Sequence, residues 1–114
     1  MYCGVREKII DELRSMGYNF SHIGTTYLIE TIEIIYNSQN PKLFHSIEKT
    51  VYEMLAEKHS KKANTIKSNI TKATNYMCDQ ALLNRKQNND SYYNMYTKLT
   101  PKNVINTVIL KLSA

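Results

Sequence analysis

Between Glu57 and Asp79 the chain carries Lys58, Lys61, Lys62, Lys67 and Lys72 and no acidic residue. Interleaved with them are Asn64, Thr65, Ser68 and Thr71, short side chains that both donate and accept hydrogen bonds. Ammonium groups bind phosphate oxygens and release condensed counterions, so affinity built on these lysines would fall steeply with salt. Short polar groups can hydrogen-bond to base edges. The chemistry open to this stretch is therefore binding of a polyanion, with double-stranded DNA the expected partner. A solvated, lysine-decorated helix in a plain bundle fits the same pattern.

Other chemistries have less support. His22, His45 and His59 are scattered without ligand spacing, so no metal site is expected, and His59 is read as a half-buried ring closing a turn. Cys3 and Cys78 are too far apart in sequence to announce a disulfide framework and indicate a reducing compartment. Cys78 is expected in the core and Cys3 on a frayed terminus. Glu30 and Glu33 could pair as carboxylates on one helix, but no nucleophile, histidine or glycine-rich loop accompanies them. No enzyme activity and no cofactor are expected.

The basic stretch has to be positioned by helices. In "ANTIKSNITKATNYM" the residues Ala63, Ile66, Ile70, Ala73 and Met77 fall at steps of three and four and define an inward face. Asn64, Thr65, Lys67, Ser68, Thr71 and Lys72 then belong to the outward face. Leu55 and Ala56 end a short helix just before, and the small Ala56 lets the two helices approach closely. This is a helix-turn-helix, whose second helix, 63–78, would enter the major groove.

Around it, Val5, Ile9, Leu13 and Met16 predict a helix over 5–16, capped by Gly17, with Tyr18 to Gly24 as the turn. "TTYLIETIEIIYN" places Leu28, Ile32, Ile35 and Tyr36 on one face, and Ile29 and Ile34 widen the apolar stripe, as a central buried helix requires. Asn40-Pro41 opens a third helical stretch through Leu43, Phe44, Ile47 and Val51. "NRKQNNDSYYNMYTKLT" reads as a long connection packed by Tyr92, Tyr93 and Tyr96. Thr100-Pro101 then starts a last helix through Val104, Ile105, Val108, Ile109 and Leu112.

At 114 residues these helices share one core, and residues 1–114 are expected to form one domain. With 42% hydrophobic and 22% charged residues, and only three glycines and two prolines, the expected fold is all-α, a single domain of about six helices. The net charge of +5 and pI near 9.2 favour a polyanionic partner. "MYCGVREKIIDELR" has no uninterrupted apolar segment, so neither a signal peptide nor a membrane span is expected, and the location is read as cytoplasmic.

The sequence resembles the DNA-binding effector domain of the stage 0 sporulation protein A family of response regulators. Ile47 to Cys78 aligns with that family without a gap, through Ile47, Lys49, Tyr52, Ala56, Lys58, Ala63, Ile70 and Ala73. "HIGTTYLIETIEIIYN" is similar to the family pattern with one residue deleted near Gly24, and "TPKNVINTVILKL" resembles its last helix. The resemblance implies a six-helix domain that binds DNA upstream of sporulation genes, as a homodimer on tandem sites, and contacts the RNA polymerase sigma subunit. It also implies a bacterial, nucleoid-associated protein.

Family members carry a receiver domain that is not found in these residues, so the chain is expected to be a fragment or a free-standing relative. Family arginines fall on Thr65, Ser68 and Thr71, and a family acidic residue falls on Lys67. Because a hydroxyl cannot replace arginine's bidentate fork to guanine, the DNA site is expected to differ. Glu53 takes a family proline position, which would soften the bend between the third and fourth helices. His59 takes a core phenylalanine position. The rival expectation is an adaptor that binds a full-length regulator or polymerase without specific DNA binding.

Overall fold

The computed structural model describes residues 4–38, 46–47, 49–87 and 100–113, with the side chains of 81–87 outside that description. They form five helices: α1 (Gly4–Met16), α2 (Ile23–Ser38), α3 (Val51–His59), α4 (Ala63–Gln87) and α5 (Pro101–Ser113). No strand occurs among the described residues, so the chain is all-α. Cys3, Asn40-Pro41, Leu43, Phe44, His45, Tyr92, Tyr93 and Tyr96, on which several sequence expectations fall, lie outside them.

The ends of α1 and α5 follow from local chemistry. Gly17 adopts φ 104°, a conformation that glycine reaches without a Cβ clash, and ends α1. Its N–H and that of Tyr18 both reach the Leu13 carbonyl, at 3.2 and 3.1 Å. At α5 the Thr100 hydroxyl accepts the Asn103 N–H at 3.2 Å, and Pro101 occupies the first helical position, where a missing N–H costs nothing. Val104, Ile105 and Val108 are buried, and Lys111 forms an ion pair with Glu12 of α1 at 3.1 Å.

The central helix is α2, whose most extensive contact is with α4. Tyr27, Leu28, Ile29, Ile32 and Ile35 are buried, while Ile34 and Tyr36 are half-buried. The buried Thr31 hydroxyl donates to the Tyr27 carbonyl at 2.8 Å, so it enters the core with its hydrogen bond made. Gly24 belongs to this helix and not to the preceding turn. A Cβ there would overlap the Asn69 carbonyl of α4 and approach the Ala73 Cβ to 3.1 Å. Glycine is therefore present for the close crossing of two helices, a requirement that resembles a turn signal when only the sequence is read.

Two other boundaries differ from expectation. Val51 starts α3 and does not end a preceding helix. The Ile47 carbonyl accepts both the Val51 and the Tyr52 N–H at 3.0 Å, and Ser46 accepts the Thr50 N–H at 2.9 Å, so helix-type bonds lead into α3 without a sharp break. Glu53 then lies in the first turn of α3, where a carboxylate complements the helix dipole. Helix α4 runs past Cys78 to Gln87, so residues 84–87, expected to open the long connection, are helical. Gln80, Ala81, Leu82, Leu83, Arg85, Lys86 and Gln87 are good helix formers with no glycine or proline among them, and the polar Asn and Lys content had masked this propensity.

Candidate nucleic-acid interface

Helices α3 and α4 are joined at Ser60, the residue in the left-handed conformation (φ 56°, ψ 44°). The Lys61 N–H returns to the Ala56 carbonyl at 2.8 Å and the Ser60 N–H to Glu57 at 3.4 Å, which satisfies the last carbonyls of α3. The Lys62 carbonyl accepts from Thr65 and Ile66 at 2.9 and 3.1 Å and so opens α4. Leu55 and Ala56 are buried beneath this turn but do not end α3, which runs three residues further to His59, and Lys61 and Lys62 are exposed on the turn.

On α4, Ile66, Ile70, Ala73 and Met77 are buried and Ala63 packs partly against the same core. Cys78 is a buried free thiol. Thr74 adds a polar anchor to this face: its hydroxyl meets the Tyr18 hydroxyl at 2.8 Å. Burial pushes the Tyr18 phenol pKa up, against a smaller opposing effect of that hydrogen bond, so the pair stays neutral.

The opposite face is open. Asn64, Thr65, Lys67, Ser68 and Lys72 are exposed, and Thr71 is half-buried at its margin. Lys67 and Lys72 do not lie on one ridge, however. Five residues apart, they are separated by roughly 140° around a helix of 3.6 residues per turn, so they flank the Asn64–Ser68 stripe on opposite sides. Counting charges along the chain hid this angle. Two ammonium groups bracketing short polar side chains match a groove with a phosphate wall on either side and base edges between.

Lys58 meets a carboxylate of another helix. Its ammonium lies 3.3 Å from Glu30 Oε1 of α2, and the same oxygen receives His59 Nε2 at 2.9 Å. Burial would push the Glu30 carboxyl pKa up, but the hydrogen bonds from His59 and Lys58 outweigh it and hold the carboxyl below its ordinary range. The His59 ring is half-buried and tilts against Tyr27, centroids 4.9 Å apart, as expected of a residue closing the turn. The acid missing from the basic run is thus supplied by another helix, which no reading of 57–79 alone could show. Glu33 pairs with Arg6 at 2.6 Å, so Glu30 and Glu33 serve two separate cations.

Sequence reasoning also missed Tyr76, which stands exposed four residues after Lys72 with the His22 ring edge-on at 4.8 Å. Its spacing from Lys72 was the available signal. Among the described residues no cluster of three or more His, Cys, Asp or Glu gathers as for a metal ion, and no helix is long and apolar enough to cross a membrane.

Residues 9–112 match the family model described as Sporulation initiation factor Spo0A C terminal. No curated protein and no solved structure matches the chain.

Proposed function

The chain belongs to the Spo0A C-terminal family, and we propose that it acts as a sequence-specific DNA-binding transcription regulator of sporulation or a related stationary-phase programme, with α4 laid in the major groove. The observation that carries this reading is the open face of α4. Exposed Asn64 and Ser68 lie between Lys67 and Lys72, with Thr65 beside Lys72 and the core stripe on the far side of the same helix. Lys61 and Lys62, at the turn, supply phosphate contacts ahead of the groove, while the charge of Lys58 is offset by its pair with Glu30.

Specificity on this reading rests on hydroxyl and amide groups. Asn64 suits adenine, and Thr65, Ser68 and Thr71 suit several bases, so discrimination at each position is weaker than a guanidinium would give. Residues 1–114 act as one effector domain, with the RNA polymerase sigma subunit and a second copy on tandem sites as protein partners.

The deciding experiment is a mobility shift with random duplex DNA over a range of salt, followed by selection of bound sequences from a random pool. Retardation that weakens as salt rises, with an enriched sequence, is expected. No retardation at low salt would transfer the protein to the adaptor role, binding a full-length regulator or polymerase without specific DNA binding.

A further inference from the structure

The exposed face of α4 continues beyond Lys72. Thr65, Ser68, Lys72 and Tyr76 succeed one another at steps of three and four, which keeps them on one stripe of the helix. Tyr76 is 40% exposed, although an aromatic ring of its size is ordinarily drawn into the core. Its ring is held edge-on by His22, with centroids 4.8 Å apart and planes at 76°.

His22 is itself on a pinned segment. Its N–H donates to the Asn19 carbonyl at 3.2 Å, and the Thr25 hydroxyl donates to the same carbonyl at 2.8 Å. The Asn19 side chain accepts the Ser21 N–H at 2.9 Å. Tyr76 is therefore oriented by a fixed ledge between α1 and α2, while among the described residues its hydroxyl has no hydrogen-bond partner.

The distances say what such a group would meet. Thr65 and Tyr76 are about 16 Å apart along the helix at 1.5 Å per residue, whereas the major groove is about 12 Å wide. A helix whose first turns read base edges has therefore reached the phosphate wall by Tyr76. Asp79 is exposed one turn later, and its carboxylate would repel the next phosphate.

We infer that Tyr76, held by His22, donates its phenol hydroxyl to a DNA backbone phosphate at the groove edge and marks the end of the α4 footprint. The inference rests on the DNA-binding reading above. Tyr76→Phe removes the hydroxyl and keeps the ring, so it isolates the contact.

The test compares wild type, Tyr76→Phe and His22→Ala on a random duplex and on duplexes carrying single methylphosphonates. Tyr76→Phe is expected to bind roughly three- to tenfold more weakly on every sequence, the effect of one hydrogen bond. Its log-affinity against log-salt slope should stay that of wild type, because a neutral hydroxyl displaces no counterion. A methylphosphonate position that weakens wild type should be silent in the variant, and His22→Ala should add little on top of Tyr76→Phe. Full affinity of Tyr76→Phe, or reduced affinity with an unaltered methylphosphonate profile, overturns the inference and leaves DNA binding standing. If wild type binds no duplex at low salt, the DNA-binding reading falls, and this contact with it.

Discussion

Glu30 Oε1 collects two donors, the imidazole of His59 at 2.9 Å and the ammonium of Lys58 at 3.3 Å, and so fastens the end of α3 to α2. Hydrogen bonds to a charged group contribute more than neutral ones, so Glu30→Gln should cost on the order of 1 to 3 kcal/mol at neutral pH. The folded carboxyl is held below its ordinary value of 4.5. Its contribution is therefore fully present above that value and is lost as pH falls through the lower folded value. Urea denaturation of wild type and variant should show a stability gap at pH 7 that closes in acid; a gap independent of pH would refute the pairing. The lysines answer to a different measurement. Lys67→Ala and Lys72→Ala should each flatten the salt slope of duplex binding by about one unit, with helical content by circular dichroism unchanged. Because the two side chains lie on opposite flanks, their effects should add.

Among the elements, the pose of α4 depends on its crossing with α2 and on its turn from α3. Gly24→Ala would drive a methyl group into the Asn69 carbonyl, which as backbone has no rotamer to give way. The expected loss is about 3 kcal/mol, at the upper end of overpacking effects, with weaker duplex binding at temperatures where the variant remains folded. Chemical denaturation measures the first and a mobility shift the second. The turn offers the opposite case. Ser60 holds a left-handed conformation at φ 56°, which a Cβ disfavours by roughly 1–2 kcal/mol. Ser60→Gly relieves that strain but loosens the unfolded chain, so a net gain of about 0.5 to 1 kcal/mol in denaturant titration is expected. An unchanged or lowered midpoint would mean that the Ser60 side chain has a role in the turn that its backbone does not reveal.

For the whole molecule, the +5 charge and the lysine-flanked face together predict a linkage. Duplex DNA at about 100 times its dissociation constant should stabilise the fold by about 2.7 kcal/mol, seen as a raised melting temperature at low salt that disappears at high salt. A melting temperature indifferent to DNA at low salt would contradict the proposed function. Much of this architecture was legible in the residue order, because caps and faces are local. Gly17 and Thr100-Pro101 mark their helix ends by backbone chemistry within a few residues, and Ile66, Ile70, Ala73 and Met77 declare the buried side of α4 by period alone. Even the wide angle between Lys67 and Lys72 was implicit in a five-residue step. Only the tertiary structure decided which acid meets Lys58 and His59, why Gly24 is a glycine, and that His22 braces Tyr76. Each of these joins residues from different helices, and a one-dimensional pattern carries no information on which faces of two helices come together.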